Sequence, residues 1–271
     1  MPLRDDVVTA ACGERGPAAP LLPAATLVLL REQPSGAPLV LLCERSRALA
    51  FAPGALVFPG GRVDPGDHAL AADPARVAGA EALDPADAAA RVTAIRETLE
   101  EAGIAVAIAP APDAASTRRL RAAAATGTFA AGLDREGCRL RLDLLLPFAR
   151  WQPEGAPRRR FDTRFYIAED AGDACPEPDG SETTRAFWQT AEATLASVAA
   201  GAAHAIFPTR RNLERVATLG GWREAQAHVG RHGAPVIVPH VELRDGAKWL
   251  CIATDAGYPV TAEPLAGLTR E

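Results

Sequence analysis

Three glutamates and an arginine lie in one short segment of the sequence, residues 96–103 (RETLEEAG). Glu97, Glu100 and Glu101 are spaced i, i+3 and i+4, so on a helix they share one face with Arg96 beside them. Like charges this close repel one another unless a cation offsets them. Carboxylate oxygens suit a hard divalent cation, so the segment predicts a metal site; the plainer alternative is a solvated acidic helix face.

The neighbouring sequence supplies elements that can position these carboxylates. Apolar residues recur at helical spacing on the opposite side of the segment, at Val92, Ile95 and Leu99, and Gly103 is suited to ending the helix. Upstream, residues 54–67 (GALVFPGGRVDPGD) form a short apolar run that breaks into a glycine-rich loop. Glycine allows the backbone to approach a ligand closely, so this loop is a candidate ligand-binding segment.

The two segments together resemble the signature of the Nudix hydrolases. That signature reads Gly, five residues, Glu, seven residues, then Arg-Glu-apolar-x-Glu-Glu-x-Gly-apolar, and residues 96–104 match its second half with Thr98 at an apolar position. The first half departs from it twice. Asp67 stands where the family has glutamate, and an insertion over about residues 68–86 separates it from Arg96.

The resemblance implies a fold and a set of roles. The expected fold is α/β, a Nudix-type α/β/α sandwich with a mixed β-sheet between helical layers. The expected cofactor is Mg²⁺ or Mn²⁺, and the expected reaction is hydrolysis of a small-molecule diphosphate. The implied metal ligands are Glu100, Glu101, Glu97 and the carbonyl of Gly60. Glu97 is also the first candidate for general base, Glu182 is a further ligand or the base instead, and Arg96 is expected to fix a carboxylate rotamer.

A second motif bears on the substrate. Residues 41–46 (LLCERS) and 58–61 (FPGG) resemble the extra motif of the coenzyme A diphosphatase branch. Residues 51–54 (FAPG) and the insertion after Asp67 resemble the long peroxisomal-type members of that branch. Cys43 and Ala50 depart from the extra motif, where the branch has Thr and a second Arg. The resemblance implies cleavage of coenzyme A or acyl-coenzyme A to 4′-phosphopantetheine and adenosine 3′,5′-bisphosphate. Substrate contacts are then expected from Arg45, Arg47 and Gly61.

Two rival functions stay open at this point. One is hydrolysis of ADP-ribose or of a dinucleotide, and the other is a Nudix-fold module that binds a nucleotide without cleaving it. The net charge of −5 over 271 residues offers no basic surface for nucleic acid or an anionic membrane. A cytoplasmic location is expected, because no segment is typical of a signal peptide or a membrane span. A homodimer is left open.

The chain is expected to form one domain over residues 24–271, preceded by a loose arm at 1–23. Within it we expect a helical insertion at about 68–86 and a C-terminal extension at about 222–271. The five cysteines are scattered and are expected to be reduced, and glycines around His228 and His232 argue against a metal role for that pair. Alternation and turn signals predict strands at 24–30, 38–44, 104–108, 140–148, 161–168 and 184–188; helices at 87–102, 117–125, 191–199 and 209–219; and a terminal hairpin of 235–243 and 248–254.

Overall fold

The structure is a computed structural model that describes residues 21–153 and 160–265. The predicted arm therefore lies outside the described residues up to residue 20, and its last three residues, Leu21 to Pro23, already belong to the first strand. The strands are Leu21–Arg31 (β1), Leu39–Arg45 (β2), Leu56–Val57 (β3), Gly60–Arg62 (β4), Val77–Ala78 (β5), Ile108–Ala109 (β6), Arg139–Arg141 (β7), Leu146–Trp151 (β8), Arg160–Glu169 (β9), Thr183–Thr190 (β10), Val236–Ile237 (β11), His240–Arg244 (β12), Ala247–Cys251 (β13) and Ala262–Pro264 (β14).

The α-helices of the described residues alternate with these strands irregularly. They are Pro65–Ala71 (α1), Pro85–Ala102 (α2), Ala114–Ala125 (α3), Phe129–Glu136 (α4), Ala191–Ala199 (α5), Phe207–Val216 (α6) and Trp222–His232 (α7). In this part of the chain no helix is both long and apolar enough to cross a membrane.

The main sheet is mixed. Its described strands run in the order β10-β2-β1-β9-β8-β11, with β3 against β2 and β4 against β1. The long central pair β1 and β9 is parallel, whereas β1 pairs antiparallel with both β2 and β4. The register sets Gly61 opposite Ala25 and Gly60 opposite Thr26. This pairing fixes the glycine-rich segment against the middle of the sheet.

Both faces of this sheet are covered by helices. Because side chains alternate along a strand, Leu27 and Leu29 of β1 pack on one face, with α2, while Val28 and Leu30 pack on the other. The second face is covered by apolar residues of α6 such as Leu213. This arrangement is the α/β/α sandwich that the sequence predicts.

Helix α2 begins and ends at residues suited to those places. The Asp84 carboxylate accepts hydrogen bonds from the backbone N–H groups of Ala86 and Asp87, and Pro85 takes the first helical position. Gly103 ends the helix in the left-handed conformation, with φ of 68°. The hydroxyl of Thr98, buried at the apolar position of the motif, donates to the carbonyl of Ala94 at 2.7 Å. Its burial is therefore compatible with the helix.

Several predicted elements differ from the observed ones. The strand predicted at 104–108 is wrong: Val106 N–H donates to the Ile104 carbonyl, Ala107 has φ of 52°, and only Ile108–Ala109 pairs as a strand. The strand predicted at 140–148 is interrupted by a 3₁₀ turn, Leu142–Leu144. Helices α4 and α7 were not predicted.

The insertion and the extension both pack onto the body. Within the insertion, β5 pairs with β7, and Arg76 forms ion pairs with Asp73 and with Asp134 of α4. Helix covers only part of the insertion, because α1 ends at Ala71 and α2 begins at Pro85. Within the extension, β11 adds to the main sheet beside β8, while β12, β13 and β14 form a separate small sheet.

Arg91 connects the first turns of α2 to the segment between β7 and β8. It is 5% exposed, and its guanidinium donates to the Asp87 carboxylate and to the carbonyls of Leu142 and Leu145. Arg91→Ala is expected to lower the free energy of unfolding by about 3 kcal/mol, because it leaves buried acceptors unpaired. Urea denaturation measures this, and Arg119→Ala, which breaks an exposed ion pair with Glu136, is the matched control. Equal effects of the two substitutions would contradict the assignment.

Candidate active site

Arg96 is the centre of a carboxylate cluster between α1 and α2. Its Nε and Nη2 atoms donate to the two carboxylate oxygens of Asp67, at 2.8 and 2.9 Å. Its Nη1 atom donates to Glu97 at 2.8 Å and to Glu100 at 3.0 Å. One planar guanidinium therefore orients three carboxylates, an arrangement that its fork of donors allows.

Asp67 belongs to this cluster despite the insertion. It is 3% exposed, and besides Arg96 it accepts hydrogen bonds from Thr93 Oγ1 at 2.8 Å and from Asp64 N–H at 3.0 Å. The insertion leaves and re-enters the site through α1 and α2, which pack together, so the extra residues do not separate Asp67 from Arg96. A carboxylate with this many donors is held as a partner of Arg96.

The glycine-rich segment lies directly against two of the glutamates. Gly60 N–H donates to Glu101 Oε2 at 3.1 Å. At Gly61 a Cβ atom would overlap the carboxylate of Glu97, so only a residue without a side chain leaves that carboxylate in place. The backbone of this loop therefore lies against the acidic face of α2.

The glutamates of the cluster are held where ionisation is unfavourable. Burial raises the pKa of Glu97 to about 7, opposed by Arg96 and assisted by the neighbouring Glu100 and Asp67 carboxylates. Burial and then the charge of Glu97 raise the pKa of Glu101 well above its usual range, against the Gly60 hydrogen bond. Burial also raises the pKa of Glu100. Added positive charge at this place would relieve the repulsion.

The remaining candidates lie on two segments beside the cluster. Arg45 ends β2, and its Nε donates to the Phe51 carbonyl at 3.2 Å. Its positive charge acts on Glu101, and so does the negative charge of Glu182, which precedes β10. Ser46 N–H donates to the Glu182 carbonyl at 2.7 Å, joining the two segments. Arg47 is exposed and packs along Gly54.

Two residues that support these segments were missed from the sequence. Asp179 Oδ1 accepts the backbone N–H groups of Ser181, Glu182 and Thr183 at 2.6, 2.9 and 3.1 Å, which fixes the turn before β10. Arg121 of α3 donates twice to the carbonyl of Glu100, near the end of α2. The Asp-Gly-Ser sequence at 179–181 signals such a turn, whereas no local pattern reveals the partner of Arg121.

His228 and His232 lie one helical turn apart on α7, with ring centroids 4.6 Å apart. His228 Nε2 accepts a hydrogen bond from the buried Arg215 at 2.7 Å, and burial together with that arginine lowers the pKa of His228 to about 4. This histidine therefore belongs to the packing of α6 against α7.

Comparison with solved structures finds a Nudix hydrolase among the similar chains. The crystal structure of a Nudix hydrolase from Alicyclobacillus acidocaldarius is 30% identical to this chain, with a TM-score of 0.67, and the match covers 77% of this chain and 96% of that one. This chain belongs to the Nudix hydrolase family. It is accordingly a hydrolase that acts on diphosphate bonds, a class of enzyme that generally uses divalent metal ions.

Other Nudix structures are more distant. An Ap4A hydrolase from C. elegans is 16% identical with a TM-score of 0.39, covering 78% of this chain and 99% of that one. The Nudix domain of NrtR from Shewanella oneidensis, in complex with ADP ribose, is 14% identical with a TM-score of 0.41, covering 79% and 94%. Likenesses at this level add nothing to the assignment. No protein-family model matches the chain, and no curated protein matches it either.

The residues present fit a divalent metal ion. Five carboxylates named above, those of Asp67, Glu97, Glu100, Glu101 and Glu182, lie with two guanidinium groups. Arg96 donates hydrogen bonds to the first three, and the charge of Arg45 acts on Glu101. Asp67 is satisfied by its own donors, but Glu97 and Glu101 are buried with raised pKa values. Oxygen donors carrying excess negative charge are the set that Mg²⁺ or Mn²⁺ binds.

Gly61→Ala tests the contact between the loop and Glu97. The new methyl group must push the Glu97 carboxylate aside, so turnover of a diphosphate substrate is expected to fall about 10²-fold while the circular dichroism spectrum is retained. The matched control is Gly66→Ala, where a Cβ meets nothing within 4 Å. Full activity in Gly61→Ala would show that the position of Glu97 does not matter for turnover.

Proposed function

We propose that this chain is a metal-dependent diphosphatase that cleaves coenzyme A or acyl-coenzyme A, acting through one domain from residue 24 onward. The observation that carries the proposal is the position of Arg45, whose positive charge acts on Glu101, with the exposed Arg47 two residues further along the same segment. Among the described residues neither guanidinium group forms an ion pair, and Arg45 donates from Nε to the Phe51 carbonyl, so the terminal nitrogens of both side chains are left for substrate phosphates.

The proposed site has a metal-binding part and a substrate-binding part. Glu97, Glu100, Glu101 and the carbonyl of Gly60 hold Mg²⁺ or Mn²⁺, while Arg96 keeps Glu97 and Glu100 in their rotamers. When bound, the metal neutralises the diphosphate and lowers the pKa of the attacking water. Arg45, Arg47 and the backbone at Gly61 bind and orient the substrate.

The chemistry is a substitution at phosphorus. The water oxygen bonds to one phosphorus of the diphosphate, the bond from that phosphorus to the bridging oxygen breaks, and the bridging oxygen leaves on the other phosphate. Glu97 is the proposed acceptor of the water proton, because Arg96 holds its carboxylate in a fixed position within the cluster. Glu182 is the alternative base, because it is close enough for its negative charge to raise the pKa of Glu101. For coenzyme A the products are 4′-phosphopantetheine and adenosine 3′,5′-bisphosphate.

ADP-ribose or a dinucleotide is the second candidate substrate. Cys43 and Ala50 replace the Thr and the second Arg of the coenzyme A motif, which removes one basic contact. Coenzyme A carries a 3′-phosphate that ADP-ribose lacks, so the two proposals differ in whether the protein recognises that group. The experiment compares hydrolysis of coenzyme A, dephospho-coenzyme A, ADP-ribose and NADH with Mg²⁺ and with Mn²⁺. Preference for coenzyme A supports the first proposal, and equal or faster cleavage of ADP-ribose or NADH overturns it.

Glu101→Gln separates catalysis from binding without cleavage. The substitution removes a ligand charge at nearly constant shape, so turnover is expected to fall at least about 10²-fold. The unfolding temperature of the metal-free protein is expected to stay the same or rise, because a buried carboxylate with a raised pKa is lost. Glu192→Gln, at an exposed position of α5, is the control. A wild-type protein that cleaves none of the four substrates would favour the nucleotide-binding module.

Arg47→Ala tests recognition of the 3′-phosphate. Loss of an exposed phosphate contact is expected to raise KM for coenzyme A about tenfold and to leave KM for dephospho-coenzyme A unchanged. Arg118→Ala, on the exposed side of α3, is the matched control. If both KM values rise equally, Arg47 does not contact the 3′-phosphate.

A further inference from the structure

A second group of metal-ligand atoms lies outside the carboxylate cluster, on the hairpin of β12 and β13. His240 and Cys251 are cross-strand partners, and Glu242 follows His240 by two residues, so all three side chains share one face of the small sheet. One ligand atom from each, a histidine nitrogen, a carboxylate oxygen and the cysteine sulfur, lies within 4.8 Å of the other two. His240 Nε2 and Glu242 Oε1 are 3.0 Å apart.

The donor set differs from that of the carboxylate cluster. Nitrogen, oxygen and thiolate sulfur together suit Zn²⁺, which takes four tetrahedral ligands at about 2.0 to 2.3 Å. Ligand atoms around such an ion are roughly 3.4 Å apart, a spacing that these three side chains reach with small rotations. Three protein ligands leave the fourth position for a water molecule.

A cation already occupies this face. The guanidinium of Arg244 donates from Nε and Nη2 to Glu242 Oε2 at 3.0 and 2.8 Å, and from Nη2 to Cys251 Sγ at 3.4 Å. Two of the three ligand groups therefore converge on one positive charge. The Arg244 side chain is 45% exposed, next to the turn at Asp245, so it can move into solvent and be replaced.

We propose that His240, Glu242 and Cys251 form a Zn²⁺ site, in which Arg244 takes the place of the ion when zinc is absent. On binding, the Cys251 thiol gives its proton to solvent, its sulfur bonds to zinc, and Arg244 is released from Glu242. The ion would link β12 to β13, and Cys251 lies where β13 pairs with Ala262 of β14. The proposal is independent of the diphosphatase reaction.

Cobalt(II) is the probe, because a cobalt–thiolate bond produces a charge-transfer absorption that oxygen ligands do not. Titration of the metal-stripped full chain is expected to give this absorption with one cobalt per chain, and Zn²⁺ is expected to abolish it by displacement. The absorption should be lost in Cys251→Ser and retained in Cys43→Ser, the control for the buried cysteine next to Glu101. His240→Ala changes a largely exposed side chain, and it should weaken binding at least about tenfold even if Cys251→Ser folds poorly.

Arg244→Gln is expected to strengthen metal binding, whereas Cys251→Ser and His240→Ala are expected to weaken it. Removing the competing cation is expected to tighten binding about threefold to fivefold, the worth of an exposed ion pair. Arg223→Gln, at an exposed position of α7, should leave the affinity unchanged. The proposal is overturned by the absence of the absorption, by its persistence in Cys251→Ser, or by an unchanged affinity in Arg244→Gln.

Discussion

The guanidinium of Arg96 is the group on which the candidate active site depends. It joins α1 to α2 through Asp67, holds Glu97 and Glu100 by a separate nitrogen, and also donates to the Arg62 carbonyl at 3.2 Å. A lysine could supply the charge but not this division of donors, because its ammonium is a single point charge. The guanidinium therefore both offsets repulsion on the acidic face and sets the direction in which each carboxylate points.

Arg96 donates hydrogen bonds to Glu97 and Glu100 but not to Glu101, so Glu101 lacks this compensation for its burial. Its hydrogen bond from Gly60 N–H compensates only part of the cost of burial beside Glu97, so the pKa of Glu101 remains well raised. A protein that evolved for stability alone would place an apolar or neutral residue there. A bound cation would offset the cost of burying this carboxylate. Metal binding is therefore expected to stabilise the folded chain by mass action.

The sequence predicts the parts of the fold whose signals are local. Helix α2 follows from its apolar spacing and from Gly103, and its observed start at Pro85 differs from the prediction by two residues. Helix α4 was missed because Gly132 lies inside it, although a Cβ there would approach that of Ala123 to 2.7 Å, so the glycine serves the close packing of α3 on α4. Helix α7 contains Gly230 and is held by tertiary packing of Ala225 and His228. The partnership of Asp67 with Arg96 across the insertion, and that of Arg121 with the end of α2, depend on tertiary structure that no sequence window contains.

The two halves of the site differ in how freely each can change. The carboxylates are buried, share Arg96 and lie against glycines, so a substitution at one of them disturbs the others. Arg45 instead ends β2, and Arg47 lies on the segment that follows it, where it is exposed and makes no ion pair with the described residues. Substitutions there cost little stability. Choice among diphosphate substrates is therefore expected to reside in this segment, while the ability to cleave a diphosphate resides in the cluster. The hydrogen bond from Ser46 N–H to the Glu182 carbonyl anchors the segment to the turn before β10.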